Sequence, residues 1–287
     1  MKKFFAALMV VAVIGGFAYL NWDRVGPIVG PYLGIEPEAG PTTPPEAFLL
    51  PPAPDPRYRF VLLDPSTSTD TSFRESMKAL LISVVEGYLP PKPEDTRPGV
   101  PEIVGLELTV RLVATDSLAY GQPNYTVSIP SVPALSARAD MTEEGALDAD
   151  GTYDTWVESE ASWSEAYDAA VAAAADAVAA MQSINVNTDE SSGITAGAAA
   201  LTLLAPAEGD VQYAVLSDLA DNRPVQAATF AGRPVICIQP DAVGSRANWD
   251  ALFNDFAAWA AAGGAGPVTH VRPELAAATL TTFLTGA

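Results

Sequence analysis

One cysteine and one histidine in 287 residues remove a good deal of chemistry at the outset. With Cys237 alone, no intrachain disulfide can form and no cysteine-based zinc site is available. It lies in the apolar run Val235-Ile236-Cys237-Ile238, where it reads as a small buried hydrophobe. His270 alone rules out a histidine-cluster metal site and leaves a single candidate base for a Ser-His-Asp triad. Its place in the strand-like Val268-Thr269-His270-Val271 reads as a structural strand-end residue. Basic residues are also scarce, 15 against 35 acidic, for a formal charge of −20. Phosphate contacts need Lys and Arg, so nucleic acid is disfavoured, and so is docking on an anionic leaflet. A metal ion, a cationic ligand or a basic partner surface stays compatible with the charge.

What is present falls into three parts. Residues 1–24 begin with Lys2-Lys3 and run apolar from Phe4 to Leu20, 17 residues. That length is at the lower limit of a membrane span and above the usual core of a signal peptide. No small-x-small cleavage site precedes Asp23, so the segment reads as an uncleaved single-pass anchor. The lysines place the N-terminus in the cytoplasm and the remainder outside; cleavage would instead release a secreted protein. Residues 25–57 are rich in proline and glycine, with Pro41, Pro44, Pro45, Pro51, Pro52, Pro54 and Pro56. Such a segment builds no core and acts as an extended spacer. Residues 58–287 form the folded domain.

Within that domain, strand and helix patterns alternate. Phe60-Val61-Leu62-Leu63 reads as a buried strand. Ser72-x-x-Glu75 has the form of a capping box, and Phe73, Met77, Leu80, Leu81, Val84, Val85 and Tyr88 make one helical stripe. Residues 104–114 alternate as a strand with Tyr125–Ile129 as a neighbour, and 131–160 reads as acidic and irregular. A helix follows through Trp163, Tyr167, Val171 and Met181, and an alanine-rich helix opens near Thr195. Strands at 211–217, 234–239 and 267–271 enclose a helix marked by Trp249, Leu252, Phe253 and Phe256. Pro273-Glu274 starts a terminal helix. The alternation predicts an α/β fold with a mostly parallel sheet covered by helices on both faces.

The first strand ends abruptly in Asp64-Pro65-Ser66-Thr67-Ser68, at the sheet edge where open α/β folds place ligands. Asp64, Ser66 and Ser68 offer only oxygen, which suits a hard divalent cation such as Mg²⁺. Two more pieces follow in order: Thr195 in Gly193-Ile194-Thr195-Ala196-Gly197, and Asp218 closing Val211-Gln212-Tyr213-Ala214-Val215-Leu216-Ser217-Asp218. Asp64-x-Ser66-x-Ser68, then Thr195, then Asp218, resembles the metal-ion-dependent adhesion site of von Willebrand factor type A domains. The resemblance implies that Ser66, Ser68 and Thr195 act as hydroxyl ligands to Mg²⁺, or to Mn²⁺ or Ca²⁺, with Asp64 and Asp218 working largely through water. It further implies an open position on the ion for a carboxylate from a partner protein or peptide. Pro65 and Thr67 replace the small residues common between the ligands, and Leu219 stands where the family often has glycine. Asp70, Asp221 and Asn222 are candidates for the rim.

The leading expectation is therefore a non-enzymatic, membrane-anchored, extracytoplasmic binding module that uses a divalent cation. One alternative is an assembly subunit of an envelope complex without a functional metal. Another is Mg²⁺-dependent phosphoryl transfer from an aspartate at the first strand's end. Against that enzyme, position 66 is serine where a second aspartate usually serves as acid and base. Only Lys78 and Lys92 are on hand for phosphate.

Overall fold

The chain places β1 (Arg57–Leu63) at the middle of a six-stranded sheet of order β3-β2-β1-β4-β5-β6. The other strands are β2 (Leu106–Leu112), β3 (Asn124–Ile129), β4 (Val211–Leu216), β5 (Val235–Ile238) and β6 (Val268–Val271). Among the described residues the helices are α1 (Thr71–Glu86), α2 (Thr152–Gln182), α3 (Ile194–Leu204), α4 (Arg246–Ala262) and α5 (Pro273–Thr285). This computed structural model describes residues 50–65, 71–113, 124–138, 152–186, 193–221, 225–239 and 246–286. All strand pairs are parallel except β2 with β3. The α/β class and the mostly parallel sheet expected from the alternation are thus observed. Among the described residues no helix is long and apolar enough to cross a membrane; the Phe4–Leu20 run, with most of the spacer, lies outside them.

Alternation along β1 divides the core in two. Phe60 and Leu62 join Ile194, Ala198 and Leu201 of α3 and Trp249, Phe256 and Ala260 of α4 in one cluster. Arg59, Val61 and Leu63 point the other way, toward the side where α1 meets both α2 and α5. On α1 the buried apolar residues are Phe73, Met77, Leu81, Val84 and Val85, the apolar stripe of a helix with one face on the core. Helix α2 corrects the reading of its region. It begins at Thr152, inside the stretch expected to be irregular, and buries Trp156 seven residues ahead of Trp163. Two turns of helix carry that pair onto one face in spite of the acidic residues between them.

The topology singles out one edge of the sheet. From β1 the chain steps outward to β2 and β3, then returns to lay β4 on the opposite side of β1. Strand order therefore reverses between β1 and β4, and the crevice beyond their carboxyl ends is the position where open α/β sheets bind ligands.

Candidate functional site

In the β1–β4 register Leu63 stands beside Leu216, so the next residues, Asp64 and Ser217, emerge side by side. The Asp64 N–H donates to the Leu216 carbonyl at 3.0 Å, extending the ladder by one bond. The Ser217 hydroxyl donates to Asp64 Oδ2 at 2.7 Å and accepts the Leu219 N–H at 2.9 Å. Asp64 is fully buried and Ser217 nearly so. Ser217 is a site residue that sequence reasoning missed: it was part of the strand pattern, and nothing in a single sequence shows a bond to a residue 153 positions away.

Asp218 follows, 2% exposed, with Oδ1 accepting the Ala220 N–H at 3.0 Å in a tight aspartate turn. The turn drives Leu219 to φ 62°, the left-handed region that glycine takes without cost. Leucine pays roughly 1 kcal/mol or more there. Its side chain is buried in the α3–α4 cluster, and that burial offsets the strain. The departure from glycine at this position leaves the glycine-like backbone in place.

Thr195 reaches the same edge on α3. Gly197 lies so close to β1 that a Cβ added there would stand 2.7 Å from Leu62 Cδ1. This contact sets the helix down on the strand whose next turn of chain carries Asp64. Gly197→Val is expected to cost about 2 kcal/mol by forcing α3 off Leu62. Equilibrium urea unfolding measures it, and a loss under about 0.5 kcal/mol would show that the close approach matters little. The N-cap residue, Gly193, supplies no side-chain bond to the helix start. Asp221 supplies one from 26 residues away: Oδ2 accepts both the backbone N–H and the hydroxyl of Thr195, each at 2.8 Å. The Thr195 oxygen also accepts the Gln226 N–H at 3.3 Å.

Of the five expected metal ligands, Asp64 and Asp218 follow the adjacent strands β1 and β4, and Thr195 is bonded to Asp221, three residues beyond Asp218; all three are buried. Ser66 and Ser68 lie outside the described residues, as does Asp70. Two helix N-termini belong to this side of the sheet, that of α1, the helix next in sequence after β1, and that of α3, and both favour negative charge. A buried guanidinium adds to them. Arg74 in the first turn of α1 donates from Nη1 to the Pro65 carbonyl and from Nη2 to Thr71 Oγ1 at 2.7 Å. It ties the exit of β1 to the start of the helix. On β2, Arg111 stands beside Leu62 and donates to Asn124 Oδ1 at 2.7 Å. Burial holds its pKa below the ordinary arginine value.

The described donors, carboxylate and hydroxyl oxygens without sulfur or imidazole, suit a hard cation. Among the described residues no three histidine, cysteine, aspartate or glutamate side chains cluster as a metal cage. An ion at this edge would have to be shared among few carboxylates, hydroxyls and water. Both lysines of the folded region are engaged with groups on α2 or just beyond its end. Lys78 donates to the carbonyls of Gln182 and Ile184 at 2.9 and 2.5 Å, and Lys92 to Ser164 Oγ and Asp168 Oδ1 at 2.7 and 2.8 Å. His270 stacks on Trp249 with ring centroids 3.7 Å apart and meets Gln239 Oε1 at 3.1 Å, a structural setting. Cys237 is buried, and desolvation pushes its thiol pKa well above the ordinary value.

No family model matches the chain, and neither a curated protein nor a solved structure matches it.

Proposed function

We propose that the domain is a divalent-cation-dependent binding module of the von Willebrand factor A type, carried outside the cytoplasmic membrane on the N-terminal anchor and spacer. Asp64, Ser66, Ser68, Thr195 and Asp218 are the ligand set, and Mg²⁺ is the ion, with Mn²⁺ or Ca²⁺ as substitutes. The partner is a protein or peptide that offers a carboxylate to the ion's open position. What supports this reading is that Asp64 and Asp218 follow neighbouring strands at the topological switch point and that Thr195, on α3, is bonded to Asp221 three residues beyond Asp218. The two helix N-termini there favour an anionic partner group, while the buried carboxylates would repel it unless a cation stood between them.

The bound ion would supply a Lewis-acidic centre for that carboxylate. The chain's own contribution is orientation: Ser217 holds the Asp64 carboxylate, and Asp221 holds Thr195. Calorimetric titration of the full-length chain in detergent with Mg²⁺ and Mn²⁺ is expected to show one site, lost in Asp64→Ala. Absence of binding by the wild-type chain, or unchanged binding by the variant, would overturn the proposal.

An assembly subunit without a working metal is the second reading. What favours it is that Asp64, Thr195 and Asp218 each already have hydrogen-bonding partners within the chain. Size-exclusion chromatography of a native complex with and without EDTA separates the two, because only an ion-bridged complex dissociates on chelation.

A further inference from the structure

We infer that Asp221 is the positioning residue that makes Thr195 a competent ligand for a divalent cation. The inference rests on the metal-site reading above and adds to it a residue outside the five-donor pattern. A threonine hydroxyl has one proton to donate and two acceptor positions. An ionised aspartate accepts only, so the 2.8 Å contact to Asp221 Oδ2 commits the hydroxyl proton to that side. The Gln226 N–H, 3.3 Å away, occupies one acceptor position. One lone pair is left, and the proton cannot turn to block it while the Asp221 bond holds.

The same carboxylate oxygen takes the Thr195 backbone N–H at 2.8 Å. That N–H belongs to the first turn of α3, whose exposed amide dipoles make the helix start repel a cation. Asp221 thus acts in two ways on one element: it fixes the hydroxyl's orientation and it offsets the positive potential of the helix start. Its place three residues beyond Asp218 follows from the tight turn at Leu219, which folds the chain back over the start of α3.

The test is Mn²⁺ binding by the full-length chain, read from the paramagnetic resonance signal of free Mn²⁺, together with a double-mutant cycle. Asp221→Ala is expected to weaken Mn²⁺ binding roughly tenfold, the usual cost of losing a partner that orients a ligand. Asp221→Asn keeps an oxygen able to accept both bonds and should recover part of that loss. In a Thr195→Val background, Asp221→Ala should cost clearly less than in the wild type, because the hydroxyl it orients is gone and only its charge at the helix start is still lost. A purely structural helix cap would lower the melting temperature in both backgrounds without this non-additivity. An equal loss with and without the Thr195 hydroxyl, or no loss at all, would overturn the role of Asp221 and leave the metal site standing. Failure of the wild-type chain to bind Mn²⁺ would overturn both.

Discussion

Replacing Arg59 with methionine is expected to destabilise the domain by about 3 kcal/mol, although the change swaps a charge for an apolar side chain of similar length inside a core. Arg59 is fully buried in β1. Its Nε donates to the Phe283 carbonyl, and Nη1 to the carbonyls of Asp210 at 2.8 Å and Tyr58 at 3.1 Å. Nη2 meets Asp210 Oδ2 at 2.7 Å. Phe283 lies in the last turn of α5, where carbonyls have no partner within the helix. Methionine would leave the Phe283 carbonyl buried without this donor, at about 1–3 kcal/mol, while the Asp210 carbonyl, on an exposed residue, keeps the Tyr58 N–H at 2.9 Å. The exposed half of Asp210 keeps the ion pair's own share small. For a domain of this size the loss corresponds to a fall in melting temperature of roughly 6–12 °C, which differential scanning calorimetry resolves. A fall below about 2 °C would mean that α5 is anchored elsewhere.

The same variant carries a pH signature. Burial alone would raise the Asp210 carboxyl, but the hydrogen bond and charge of Arg59, aided by Gln212 and Arg57, more than offset it and hold the group below its ordinary value. A carboxyl depressed in the folded state contributes stability above its unfolded pKa of about 4 and loses it as pH falls through the folded value. The gap between wild type and Arg59→Met should therefore be widest near neutrality and narrow in acid below about pH 4.

Arg59 also shows where a single sequence stops being informative. Its strand was legible from Phe60-Val61-Leu62-Leu63, because an unbroken apolar run before a polar turn has few other uses. The arginine within that strand gives no local sign that it will be buried, since its partners come from 151 and 224 residues away. The stripe of α1 was legible for the opposite reason, being entirely local. The first turns of α2 were missed because acidic residues conceal an otherwise regular spacing of Trp156, Trp163, Tyr167 and Ala170. At the candidate site, Asp64, Thr195 and Asp218 could be picked out by residue type and order. Ser217 and Asp221 could not be assigned their roles, since both act through bonds between segments brought together only by the β1–β4 pairing and the seating of Gly197 on Leu62.

Loading the site should stabilise the folded chain, and the size of the effect follows from mass action alone. At free Mn²⁺ one hundred times its dissociation constant, the wild-type domain is expected to gain about 2.7 kcal/mol, or roughly 5–11 °C in melting temperature. Chelation should reverse the gain. Asp64→Asn isolates the electrostatic contribution: its amide oxygen can still accept the Ser217 hydroxyl, so the chelated variant should stay within about 1 kcal/mol of wild type. It should show none of the Mn²⁺-dependent rise, because a neutral amide supplies no charge to balance the ion. A wild-type domain whose melting is indifferent to saturating Mn²⁺ would point to an edge held together by its internal hydrogen bonds alone, as in the assembly-subunit reading. A rise that persists in Asp64→Asn would place the ion elsewhere on this strongly acidic surface, since only a site at the β1–β4 switch point depends on the Asp64 carboxylate.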